Sequence, residues 1–105
     1  MSARWIEACR VDEIDAEDVI RFDHGGRTFC VYRSAADAYY ATDGLCTHEG
    51  FHLAEGLVIG HIIECPKHNG RFDYRTGEAK GAPACIHLRT YPVKVEAGKV
   101  FIDLG

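Results

Sequence analysis

The chain has 105 residues, enough for one domain with a modest core but too few to hold a second catalytic domain. Sixteen acidic against twelve basic residues give a net charge of -4, and no Lys/Arg stripe interleaves with aromatics, which argues against a nucleic-acid or anionic-membrane partner. Hydrophobic residues make up 47%, yet no uninterrupted apolar run reaches about 18 residues, and Met1-Ser2-Ala3-Arg4-Trp5-Ile6-Glu7 lacks the apolar core of a secretory signal, so a soluble, cytoplasmic protein is expected.

Along the chain the pattern is short and β-like. Aromatic and β-branched residues place a first strand over Trp5 to Cys9, and the acidic stretch Val11 to Asp18 reads equally as one helical turn or an extended loop. Val19 to Phe22 and Thr28 to Tyr32 make a hairpin across His24-Gly25-Gly26-Arg27. A strand over Ala38 to Thr42 follows the Ser34 to Asp37 turn, and another over His61 to Glu64 runs into Cys65. Tyr91 to Glu96 is expected to pair with Lys99 to Asp103 across Ala97-Gly98. No long helical period occurs, so the class is all-β with antiparallel sheets. The expected organisation is a single domain over 1–105, with a base from 1–42 and 82–105 and an inserted lobe over 43–81. Of the eleven glycines, Gly44, Gly50, Gly56, Gly60, Gly70, Gly77 and Gly81 crowd that insertion, where tight loops must converge.

Chemistry concentrates in two mixed pairs, Cys46-Thr47-His48 and Cys65-Pro66-Lys67-His68, each offering one thiolate and one imidazole. A rigid loop with Cys and His two or three positions apart can aim both at a centre a few ångströms across. Five cysteines is an odd number, and thiolates that must ligate metal suit a reducing compartment. Cys9, Cys30 and Cys85 read as small buried filler. Four histidines, His24, His52, His61 and His87, default to surface or packing roles. His52, six positions after Cys46, is also within reach as a ligand.

The run Asp43, Cys46-Thr47-His48-Glu49-Gly50-Phe51-His52-Leu53, Gly56, Ile63-Glu64-Cys65-Pro66-Lys67-His68-Asn69-Gly70-Arg71-Phe72-Asp73, Thr76-Gly77 and Pro83-Ala84-Cys85 resembles the small ferredoxins that feed bacterial Rieske oxygenases. The resemblance covers nearly the whole chain. It implies the Rieske iron-sulfur fold and a Rieske [2Fe-2S] cluster, with Cys46 and Cys65 on the inner iron and His48 and His68 on the outer one. The implied role is a carrier, not a catalyst, passing single electrons from an NAD(P)H-dependent flavoprotein ferredoxin reductase to the terminal Rieske oxygenase of an aromatic-ring dioxygenase or monooxygenase system. It further implies that Gly81-Ala82-Pro83-Ala84 shields the cluster, with Phe51 and Leu53 completing an apolar cap.

Departures from the high-potential Rieske proteins of respiratory complexes carry information. Phe51 and Lys67 stand where those proteins have a disulfide, and Gly70 and Phe72 stand where they have serine and tyrosine hydroxyls near the sulfurs. Fewer donors to sulfur stabilise the reduced cluster less, so the expected potential is near about -150 mV. Two other readings are the Rieske small subunit of an assimilatory nitrite reductase and a module holding structural zinc on the same four ligands. Zinc sites of the Cys₂His₂ type usually run a Cys pair before a His pair, unlike these mixed halves. Asp73 and the pairs Asp12-Glu13 and Glu17-Asp18 read as solvated faces without a role.

Overall fold

The computed structural model describes residues 3–47, 50–66, 70–81 and 86–105. Among the described residues eleven strands form three antiparallel sheets and there is no α-helix. The first sheet orders β1 (Trp5–Arg10), β11 (Lys99–Asp103) and β10 (Val93–Glu96). The second runs β2 (Asp18–His24), β3 (Arg27–Arg33), β4 (Tyr39–Asp43) and β9 (Thr90–Tyr91). A third follows chain order from β5 (Leu57–Ile59) through β6 (Ile62–Glu64) and β7 (Arg71–Asp73) to β8 (Ala79–Gly81).

The second sheet is the middle layer, and β3 explains why. Phe29, Cys30, Val31 and Tyr32 are all buried, although side chains in a strand alternate between faces. Phe29 and Val31 face the first sheet, packing with Ile102 and Tyr91 and with Val100, Cys9 and Ile14 respectively. Cys30 and Tyr32 face the third sheet, joining Ile63, Phe72, Tyr74, Leu53, Cys46 and Cys65. An unbroken apolar run is the signature of a strand covered on both sides. Tyr32 bridges the second interface by stacking on Tyr74, with ring centroids 4.5 Å apart and planes within 4°.

Turn chemistry sets the registers. Gly25 and Gly26, at φ +59° and +77°, join β2 to β3 in register from His24↔Arg27 to Asp18↔Arg33. Paired positive φ values give the I′ geometry whose twist matches the strands it joins. The acidic stretch resolves into a single 3₁₀ turn, Val11–Glu13, followed by a loop whose Ile14 is buried. Arg33 Nη1 donates to the Ile14 carbonyl at 2.7 Å and Tyr39 Oη to the Val11 carbonyl at 3.0 Å, pinning that loop across the first two sheets.

Two expectations need correction. Tyr91 to Glu96 is not one strand: Tyr91 pairs with Ala41 in the second sheet, whereas Val93 pairs with Ile102 in the first. Pro92 stands at the crossover, because proline has no N–H for a ladder; its carbonyl still accepts from Asp103 N–H at 2.9 Å. The short strands β5, β7 and β8 also escaped the sequence reading. At three residues each they are too brief for an alternation to register.

Candidate metal centre

Two loops are closed in the same way. At the end of β4, Gly44 N–H donates to the Thr28 carbonyl at 3.0 Å and Leu53 N–H to the Gly44 carbonyl at 2.8 Å, and Leu45 bridges His52. Cys46 N–H then donates to the Phe51 carbonyl at 2.8 Å, and the loop beyond it turns back with Gly50 N–H on the Cys46 carbonyl at 2.9 Å and Gly50 at φ +74°. The second loop leaves β6 and returns as β7, and Cys65 N–H donates to the Gly70 carbonyl at 2.7 Å. In each case the cysteine binds the residue five positions on. Arg71 Nε meets Glu64 Oε1 at 3.0 Å beside the second closure.

Both cysteines are buried, and both belong to the core cluster between the second and third sheets. Of the four candidate ligands these are the two that are described; His48 and His68, with Glu49, Lys67 and Asn69, lie outside the described residues, as does the 82–85 segment with Pro83 and Cys85. Thr47 Oγ1 donates to the Ile86 carbonyl at 2.7 Å and so ties the first loop to the chain that follows that segment.

His52 has other work. The Ala54 N–H donates to its Nδ1 at 3.1 Å, capping the 3₁₀ turn Leu53–Glu55, so the ring proton sits on Nε2 and points at Thr28 Oγ1, 2.7 Å away. The Thr28 hydroxyl in turn donates to Asp23 Oδ1 at 2.5 Å. Burial is the main reason the His52 pKa is held below its ordinary value, with the Arg21 charge adding to it. His87 Nδ1 accepts from Ala79 N–H at 2.9 Å, His24 stacks on Phe22, and His61 meets the edge of Tyr74.

Leu53 is completely buried in the core cluster that holds Cys46 and Cys65, whereas Phe51 is exposed along with Leu45 and Ile86. Phe72 is also completely buried. Asp73 is not a solvated carboxylate. It is buried and receives N–H from Arg75 at 2.9 Å and two guanidinium bonds from the same residue, and these hold its pKa below the usual carboxylate range. The other four acidic residues read as solvated also have partners: Asp12 pairs with Arg10 at 3.5 Å, Glu13 Oε2 accepts from Arg10 N–H at 2.7 Å, Asp18 Oδ1 accepts from Val19 N–H at 2.8 Å, and Glu17 Oε2 accepts from Gly60 N–H at 2.8 Å, joining the N-terminal loop to the β5–β6 turn. Cys9 and Cys30 are filler as expected; burial raises their thiols to about 11 and about 12, where neither is a nucleophile.

Known proteins give this geometry a context. A family model for the Rieske [2Fe-2S] domain matches residues 4–92. The chain belongs to the Rieske [2Fe-2S] domain family. Within it, the ferredoxin component of the naphthalene 1,2-dioxygenase system of Pseudomonas aeruginosa is 42% identical over 105 residues, covering 100% of both chains. Among solved structures, the ferredoxin of Sphingomonas yanoikuyae B1 superposes with a TM-score of 0.90 at 36% identity, covering 97% of this chain and 100% of that one. A chain in the complex of reduced oxygenase and oxidized ferredoxin of carbazole 1,9a-dioxygenase gives 0.88 at 32% identity, covering 94% and 92%.

The cofactor of this Rieske domain is a [2Fe-2S] cluster. The donor chemistry fits it. A thiolate buried in an apolar cluster is costly without a cation to compensate it, and Cys46 and Cys65 stand at equivalent points of two matched loops in one such cluster.

Proposed function

We propose that this chain is a low-potential Rieske ferredoxin of a multicomponent oxygenase, taking single electrons from a flavoprotein reductase and delivering them to a terminal oxygenase that hydroxylates an aromatic or related ring. The observation that carries this reading is the pair of matched loops rooted at Cys46 and Cys65, in a chain alike over its full length to a dioxygenase ferredoxin component. Cys46 and His48 from the first loop and Cys65 and His68 from the second are the ligands we assign. When bound, the cluster accepts and releases one electron at a time, and the chain supplies its sulfur and imidazole donors, its shielding and its exposed edge.

Residues 43–81 form the cluster-binding lobe in this reading, and 1–42 with 82–105 form the base. The fully buried Phe72 ring, in place of a hydroxyl, offers no hydrogen bond to sulfur, which supports a potential at the low end of the Rieske range, near about -150 mV. Among the described residues no helix is long and apolar enough to cross a membrane, in keeping with a cytoplasmic carrier. Exposed Leu45, Phe51 and Ile86 lie on or next to the first loop and on the segment tied to it by Thr47, a natural docking edge for the oxygenase.

The deciding experiment is EPR of the dithionite-reduced protein with a redox titration. An anisotropic signal with average g near about 1.9 and a potential near about -150 mV supports the assignment. A colourless, EPR-silent protein with stoichiometric zinc overturns it, and a potential above zero overturns the low-potential part.

A further inference from the structure

We propose that His52 is a positioning residue for the cluster: its ring locks the root of the 46–51 loop onto β3, and that lock sets the midpoint potential. The proposal rests on the reading that this loop carries the ligands Cys46 and His48.

The ring lies where three pieces of chain meet. From β3, Thr28 Oγ1 receives the Nε2 proton at 2.7 Å and Cys30 Sγ lies 3.9 Å from Nδ1. From the 3₁₀ turn after the loop, Ala54 N–H reaches Nδ1 at 3.1 Å. From the entry to the loop comes Gly44, whose backbone is pressed against the ring so closely that a Cβ there would lie 2.7 Å from Nε2. The backbone of His52 bridges Leu45, the residue immediately before Cys46. The ring's hydrogen bonds therefore fasten the chain after the loop to the middle sheet, and its packing against Gly44 braces the loop entry.

A histidine suits this place because its two ring nitrogens do opposite jobs at opposite ends. Nδ1 accepts and Nε2 donates, and the second bond continues through the Thr28 hydroxyl to Asp23, itself held by Arg21 Nε at 3.0 and 3.2 Å. Leucine would fill much of the volume but leave the Ala54 N–H without its acceptor and let the root shift. Donors aimed at cluster sulfurs stabilise the reduced state, so a loosened loop should lower the potential.

The test uses the cluster-loaded protein and four variants: His52→Leu, Thr28→Val, the double variant, and Val100→Ala as a control that weakens the fold in the first sheet, far from the loop. Midpoint potential, EPR g values and urea midpoints are read together. His52→Leu is expected to lower the potential and shift the g values, Thr28→Val to do so to a smaller extent, and the double variant to match His52→Leu. Val100→Ala should lose stability with its potential unmoved. An unchanged or raised potential in His52→Leu, or an equal fall in Val100→Ala, overturns the proposal. If His52→Leu does not fold, Thr28→Val is judged by the same criteria. A wild-type protein without a Rieske signal overturns the ligand reading and this proposal with it, whereas a Rieske signal with unmoved potentials overturns this proposal alone.

Discussion

The first two sheets and the third are stabilised by different means. In the first two, β2 and β3 pair over seven residues each, and the space between the layers is filled by Val31, Val100, Phe29, Ile102 and other apolar side chains. The four strands of the third sheet have three residues apiece, and its core cluster includes the two candidate ligand cysteines, Cys46 and Cys65. Side-chain locks and tight backbone approaches replace long ladders there. Asp73 grips Arg75, and Gly77 and Gly56 admit no side chain, since a Cβ on either would lie 2.0 Å from a carbonyl oxygen, of Leu88 and Glu64 respectively. A region with so little ladder is the one expected to lean on its metal for stability.

The sharpest way to break that comparison is to remove a ligand. Cys46→Ser or Cys65→Ser should abolish the visible absorption and the EPR signal, and amide exchange should then accelerate over residues 57–81 while β2 and β3 stay protected. Uniform acceleration across all three sheets would mean that the regions are not energetically distinct.

Next in size is Phe72→Ala, which empties a fully buried site between the second and third sheets. Urea unfolding should register a loss of about 3–5 kcal/mol, the range for deleting a buried aromatic ring.

A pair of glycines sharpens the contrast further. Gly77 and Gly98 both sit at positive φ, +82° and +75°, but Gly98 has open space where a Cβ would go. Gly98→Ala should cost about 1–2 kcal/mol, the usual penalty for left-handed backbone. Gly77→Ala should cost more, because the Leu88 carbonyl must also move; equal thermal shifts for the two would refute the close approach.

Acidification should give the smallest effects, in two separate steps. The folded state holds the His52 pKa below its unfolded value, so the unfolded chain binds the proton first and stability falls as pH drops below about 6.5. Asp73 is also held down, by Arg75, so its contribution is present above about pH 3.9 and is lost below it. Urea midpoints between pH 8 and 3 measure both, and His52→Leu should remove the first step only.

Much of this protein is local and hence readable in one dimension. Alternating and β-branched runs mark β1, β3, β4 and β6, Gly-Gly and Ala-Gly mark two hairpins, and the Cys-x-His and Cys-x-x-His pairs mark the metal chemistry, because each signal depends on neighbours a few residues apart. Tertiary structure decided the rest. Pro92 moves the chain between sheets, a choice made by which edge is free to accept a strand, and Leu53 goes to the core although it follows a ligand loop. Asp73 looked like surface charge because its burial depends on the fold of the surrounding turn. His52 read only as a surface or packing histidine because its partner Thr28 is brought to it by the packing of the loop on β3, a distance that no local spacing encodes.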